Sequence, residues 1–336
     1  MTELTLSLAC APYDRVQPLF DGRVKIANCI IDAHPMPADE AFSRAYMTQD
    51  FDITELSASS HLLTSARDDS PYVGIPAFVS RSFRHSSFYI RTDRGISGPA
   101  DLKGKRIGVP QYQQTAALWA RGLLADEYGV RASEIGWRNG GLDTPGNGER
   151  VPLELRGIDL QPIPEGATLS AMLAEGDLDA VIAARPPACF LNGAPNVARL
   201  FPNFREAEEN YFRKTELFPV MHLIGIRRTL VAAHPWLATA VFDAFAEARE
   251  IAMTQLRYQG AFYAMLPWLP DDLSRAQAVM GSDFWRYGVA ANRRELDAMR
   301  RWAVEQGLTE SQPALEQIFA PDFLEDNAAH EGSAIQ

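Results

Sequence analysis

Short apolar runs alternate along the chain with stretches whose apolar residues recur every three or four positions, the pattern of an α/β protein. Residues 4–11, 24–31, 51–53 and 73–79 read as strands, with helices over 38–47 and 57–66 between them. A further strand over 87–91 ends at the turn-rich Thr92-Asp93-Arg94-Gly95. Then Asp101-Leu-Lys-Gly-Lys-Arg-Ile-Gly-Val109 carries a polar turn into a short apolar strand. A helix over 115–128 follows, with Ala116, Trp119, Ala120, Leu123, Leu124 and Tyr128 on one face. Residues 135–138 and 180–183 read as two more buried strands, and the Gly- and Pro-rich 139–164 as a surface excursion with little regular structure.

Beyond Phe218 one strand, 219–227, precedes a helical region that has no sheet of its own. Pro235 suits a first helical position, and Leu237, Val241, Phe245, Ala248 and Ala252 mark one face. Asn292 with Glu295 resembles a capping box, Gly307 suits the far end of that helix, and the tail after Asp326 is expected to fray. The chain therefore reads as two α/β units in series. It leaves the first near Arg91, builds the second, and returns near Pro219. Lobe I is then discontinuous, residues 1–92 plus 219–336, and lobe II is 93–218, with two crossing strands as a hinge.

Composition narrows the class. The chain has 336 residues, enough for roughly two domains, with 46% apolar and 22% charged residues, an ordinary globular balance. Its charge is 32 − 43 = −11 with no long basic run, so neither nucleic acid nor an anionic membrane is an expected partner. Cys10, Cys29 and Cys189 are too few and too scattered for a disulfide scaffold or a Cys-rich zinc site. Leu8-Ala9-Cys10 faintly echoes a lipoprotein cleavage site, but Glu3 stands where basic charge belongs and the apolar stretch is short. A buried first strand and a cytoplasmic protein are expected. No G-x-G-x-x-G, P-loop or G-x-S-x-G motif occurs.

At 101–109 the hinge arrangement acquires a name, because that stretch resembles the opening of the second lobe in type 2 periplasmic-binding-protein folds. More specific are Tyr13-Asp-Arg, Glu55-Leu-Ser, Ile75-Pro-Ala-Phe-Val-Ser-Arg-Ser-Phe-Arg-His85, Val109-Pro-Gln-Tyr-Gln-Gln-Thr-Ala-Ala-Leu-Trp-Ala-Arg121, Ala184-Arg-Pro-Pro187 and Phe218-Pro-Val-Met-His222. These resemble one cytoplasmic branch of that fold, the 4,5-dihydroxyphthalate decarboxylases. The resemblance implies conversion of 4,5-dihydroxyphthalate to protocatechuate and CO2. The expected architecture is a two-lobed α/β fold with two hinge crossings and the C-terminal helices packed on the first lobe.

A site for such a substrate needs cations for two adjacent carboxylates and hydrogen-bonding groups for two phenols. Arg81, Arg84 and His85 fall within five positions after a strand, where loops of open α/β sheets carry ligands. A solvated basic loop would look the same. His85 is the candidate acid for protonating the carboxyl-bearing ring carbon, since direct loss of CO2 would leave an unstabilised aryl anion. Glu55 and His61 bracket a presumed helix start; Glu55 could accept a phenol proton, or could simply cap the helix. Gln111, Gln113 and Thr115 lie where the second lobe's helix begins, a natural anion seat. Arg185 follows the 180–183 strand and His222 lies on the returning strand; both could face the cleft or serve structure. Tyr13 and Asp14 are weaker candidates.

Glu55, His61, His85 and His222 could in principle gather around one divalent ion, but no H-x-x-x-H or H-E-x-x-H spacing supports this, and no cofactor is expected. The partner expected is a small aromatic dicarboxylate, and the sequence leaves room for a homo-oligomer. The competing reading is a solute-binding protein or sensor of the same fold that performs no chemistry.

Overall fold

The computed structural model describes residues 3–146 and 149–324, so the tail after Asp326 lies outside the described residues. In chain order the first lobe builds β1 (Leu4–Cys10), α1 (Gln17–Phe20), β2 (Cys29–Pro35), α2 (Ala38–Met47), β3 (Ile53–Ser57), α3 (Ala58–Ala66) and β4 (Tyr72–Arg81). The second adds β5 (Phe88–Arg91), β6 (Arg106–Val109), α4 (Thr115–Tyr128), β7 (Gly136–Asn139), β8 (Asp159–Pro162), α5 (Leu169–Glu175), β9 (Ala180–Ile182), α6 (Ala188–Leu191), β10 (Val197–Arg199) and α7 (Phe204–Thr215). The chain then returns through β11 (Val220–Arg227) to α8 (Arg228–Ala233), α9 (Leu237–Arg257), α10 (Leu269–Met280), α11 (Arg293–Glu305) and α12 (Leu315–Ile318).

Each lobe has its own sheet. The first runs β2-β1-β3-β11-β4, with β1 parallel to β2 and β3, and β11 antiparallel to both its neighbours. The second runs β10-β5-β9-β6-β7-β8, parallel from β9 through β8. Since β5 already belongs to the second sheet, the outward crossing falls in residues 82–87, before Arg91. Open α/β sheets place ligands in the crevice outside the carboxyl ends of their parallel strands, which here are the ends of β1 and β3 in the first sheet and of β6, β7 and β9 in the second.

Several boundaries move from those the pattern predicts. Val24 and Ile26 are buried in a loop, and the strand lies at Cys29–Pro35, an edge strand with alternate residues in water. The apolar start at 51–53 opens a strand that continues through Ser57, so Glu55 lies on β3 and not at a helix start. The excursion 139–164 contains β8. Asn292 and Glu295 do not form a capping box: the Asn292 side chain makes no cap bond, and both residues turn inward onto Arg81.

The C-terminal helices close the molecule. α9 packs on α1 and β4, and α12 on α3 and β4, all in the first lobe. α11 lies against α3 and also against α4 of the second lobe. Trp302 meets Trp119 edge-on at 5.0 Å. A Cβ at Gly122 would fall 2.3 Å from the Trp302 ring, so only glycine permits this approach. Beyond the helix, the Gln306 side chain accepts from Arg121 Nε at 2.7 Å while its carbonyl accepts from the Tyr112 hydroxyl at 2.9 Å. Among the described residues no helix is long and apolar enough to cross a membrane.

Candidate active site

β4 carries Pro76, which cannot donate to a ladder, and its pairing with β11 slips in register on both sides of His222. Carbonyls released by the irregularity find other donors. Arg15 Nε donates to Val79 at 2.6 Å, Trp285 Nε1 to Phe78 at 3.0 Å, and the Gly288 amide to Pro76 at 2.9 Å. The bulge places His222 opposite Ser57, at the carboxyl edge of β3.

Two residues upstream on that strand, Glu55 is fully buried, and both of its oxygens are engaged. Oε1 accepts from the Tyr13 hydroxyl at 2.8 Å and lies 2.6 Å from His222 Nδ1. Oε2 accepts from the Ala11 amide at 2.9 Å and the Cys10 thiol at 3.4 Å. Burial pushes the Glu55 carboxyl upward, but His222, the Ala11 amide and Tyr13 together hold it below its ordinary value, so it is a carboxylate. That charge drives the neighbouring Cys10 thiol and Tyr13 phenol further up than burial alone, keeping both protonated as donors. The carboxylate fixes the imidazole with hydrogen on Nδ1. The His222 side chain is 20% exposed, its Nε2 makes no hydrogen bond among the described residues, and Phe42 meets its ring edge-on at 4.7 Å.

The second lobe meets this edge directly. Thr115 Oγ1 lies 2.8 Å from Ser57 Oγ and accepts from the Ser59 amide at 3.0 Å. Gln113 Oε1 accepts from Ser60 Oγ at 3.1 Å. Gln111 sits in the same turn, its carbonyl accepting from the Gln114 amide at 3.3 Å. The anion seat expected here holds the protein's own carboxylate. Glu149 accepts from the Tyr112 amide at 2.5 Å, the Gln113 amide at 2.9 Å and Asn139 Nδ2 at 3.4 Å. The next residue, Arg150, reaches back to the first lobe, its guanidinium 5.2 Å above the Phe42 ring. Neither residue was legible in sequence: an excursion read as unstructured gave no reason to single out Glu149-Arg150.

The basic cluster is placed differently from the expectation. The Arg81 side chain is 1% exposed and turned into the first lobe. It donates to the carbonyls of Phe218 at 2.8 Å and Arg286 at 2.7 Å and to Asn292 Oδ1, with Glu295 at 3.7 Å. Burial lowers its pKa to about 10 despite Glu295. Arg84 lays its guanidinium on the Met221 sulfur, and burial lowers it likewise to about 10, against the pull of Glu208. His85 is 2% exposed, boxed edge-on by Phe201 at 5.1 Å and Tyr211 at 5.3 Å, and its Nδ1 has no partner among the described residues. Burial alone lowers it to about 4, so it is neutral at pH 7. The gap beside it is walled by Phe83, Trp119, Leu123 and Tyr211, and neither Glu55 nor His222 lines it.

His61 is also fully buried: Nε2 bonds the Ile318 carbonyl at 2.8 Å, and burial lowers it to about 4. Arg185 stands at the carboxyl end of β9 with its side chain 69% exposed, 3.5 Å from Asp143. Of the four residues considered for a shared metal ion, only Glu55 and His222 meet. The structure thus pairs Glu55 with His222 and ties Thr115 to Ser57 and Gln113 to Ser60; Gln113 and Thr115, expected to bind substrate, are buried and join the lobes instead, and His61, Arg81 and His85 are likewise inside the protein.

Residues 37–142 match the NMT1/THI5-like family. The fold is similar to that of the aliphatic sulphonate-binding protein SsuA of Escherichia coli, with a TM-score of 0.53 at 13% identity over 95% of this chain and 98% of that one. SsuA of Methylobacillus flagellatus superposes with a TM-score of 0.52 at 13% identity, covering 96% and 93%. At such identity these likenesses speak to the fold alone. Closer in sequence is the 4,5-dihydroxyphthalate decarboxylase of Comamonas testosteroni, 44% identical over 97% of this chain and 99% of that protein. The enzyme of the same name from Pseudomonas putida is 45% identical over 63% of this chain and 83% of its own length. With so much of both chains aligned, this protein belongs to the 4,5-dihydroxyphthalate decarboxylase family.

Proposed function

We propose that this protein decarboxylates 4,5-dihydroxyphthalate to protocatechuate and CO2, with His222 as the proton donor. One observation carries the assignment within the site: an imidazole held by a buried carboxylate at the crevice edge, with its second nitrogen free. The ring carbon that bears the carboxylate must gain a proton before CO2 leaves. The para phenol oxygen supplies electron density for the new C–H bond, and the proton comes from His222 Nε2. The C–C bond then breaks, its electron pair restores the aromatic ring, CO2 departs, and His222 regains a proton from water. The step balances with no oxidant or reductant.

Glu55 is a positioning residue in this scheme, since its oxygens are committed to Tyr13, Ala11, Cys10 and His222 and it has no exposed surface for a phenol. Its charge orients the ring and compensates the imidazolium from which the proton leaves, and the positioned acid it holds supplies about 10²–10⁴-fold. Purified protein incubated with 4,5-dihydroxyphthalate should release CO2 and protocatechuate. In D2O the product should carry deuterium at the vacated carbon. Tight binding with no product would assign the crevice to capture without chemistry.

A further inference from the structure

We infer that Arg150 binds a carboxylate of the substrate and selects aromatic dicarboxylates over mono-acids. This rests on the decarboxylase reading for its substrate but on separate atoms for its evidence. Arg150 is half-buried, stacked on Phe42, and Phe42 in turn touches the His222 ring, so one phenyl group separates guanidinium from imidazole. Among the described residues its one side-chain hydrogen bond is a long 3.4 Å contact to Ser43 Oγ. No carboxylate oxygen lies within ion-pair distance of it among the described residues; Asp39 and Glu149 act on it only from farther off.

The other candidate cations are committed elsewhere: Arg81 to Glu295 and three oxygens, Arg84 to a sulfur inside the hinge, Arg185 to Asp143, Arg15 to Asp14 and Val79. A guanidinium drawn partly out of water without a counter-ion is poised to accept one, and its planar fork suits a carboxylate. Glu149 explains the placement. By bonding the Tyr112 and Gln113 amides it pins the chain to the second lobe one residue before Arg150 crosses to the first. A phthalate ring carries its second carboxylate on the carbon adjacent to the first, and with the first at His222 the orientation that turns the second to the Phe42 side brings it to Arg150.

Calorimetric titration with phthalate and benzoate tests the assignment on wild type, Arg150→Lys and Arg150→Gln, alongside steady-state kinetics with 4,5-dihydroxyphthalate. For Arg150→Gln, phthalate affinity should fall about 10- to 100-fold, the range for losing a charged hydrogen-bonding partner, while benzoate changes less than about twofold. KM should rise by a similar factor with kcat within about threefold, and Arg150→Lys should fall between. Unchanged phthalate affinity, or equal loss for both acids, overturns the assignment, as does an unaltered KM. Wild type that discriminates phthalate through Arg150 but yields no protocatechuate would sink the decarboxylase reading and leave this one standing. Wild type that neither binds phthalate nor turns over dihydroxyphthalate overturns both. Matching melting curves for the variants exclude misfolding as the cause.

Discussion

His85 lies in the outward crossing between lobes, just after β4, and His222 on the return, just inside β11; each has an aromatic ring against its own. What separates them is the company of their nitrogens. His85 has aromatic edges on both sides and no charge partner, so desolvation acts unopposed and the ring stays neutral. His222 has a buried carboxylate on Nδ1, a side chain 20% exposed and, among the described residues, no hydrogen bond at Nε2, so its second nitrogen is uncommitted. Proximity to basic residues made His85 conspicuous in sequence. Partnership with a carboxylate 167 positions away is what singles out His222 as the donor we propose.

The largest effect that would break this contrast is at His222 itself. His222→Gln should lower kcat about 10³-fold with substrate affinity within a few-fold, read by protocatechuate formation and by calorimetry; near-normal turnover would remove it as donor. Next comes Arg81. Arg81→Met leaves Glu295 buried without its partner and should cost about 3–5 kcal/mol in urea unfolding, a loss of fold rather than a raised KM. Glu55→Gln should follow, at about 10²-fold in kcat, because the amide carries no charge to set against an imidazolium and, with its oxygen toward Tyr13 and His222, turns its NH2 against the Ala11 amide, itself a donor. Its pH–rate profile should shift while KM stays near wild type.

Smallest is the change at His85. His85 and His61 both have folded-state values near 4, below the unfolded value of about 6.5. The unfolded chain therefore binds more protons between those values, so stability is full at neutral pH and falls as pH drops from about 6.5 toward 4. Between pH 7 and pH 5 each histidine should contribute a loss of roughly 2 kcal/mol. His85→Phe should remove its share of that loss, measured as the difference in urea midpoint, with turnover within about twofold. A slope unchanged by the substitution would mean that His85 is not the desolvated group described.

Local signals in the sequence were reliable where one element carries its own pattern. The helices Ala38–Met47 and Thr115–Tyr128 have the predicted bounds because their apolar faces repeat cleanly between a turn and a stop. The pattern failed where long-range contact decides. Arg81 looked available because its partner Asn292 lies 211 positions downstream, and Asn292 with Glu295 looked like a cap because Arg81 was not in view. One interaction accounts for both misreadings. Glu55 seemed to open a helix because three residues of a buried strand, read alone, carry no period; pairing with β11 supplies it. Arg150 was invisible because its setting depends on the other lobe.

The seam between α4 and α11 bears on how such a molecule can work. Trp302 is seated over Gly122 on the far lobe, so wide separation of the halves would strip a large ring of its cover, at a cost of about 3–5 kcal/mol if the seam were lost. A jaw riveted beside its own fulcrum does not gape. Traffic into the crevice must then rely on slight yielding at its rim, and what the protein forgoes in the range of guests it could enfold it recovers as constancy of alignment from one turnover to the next.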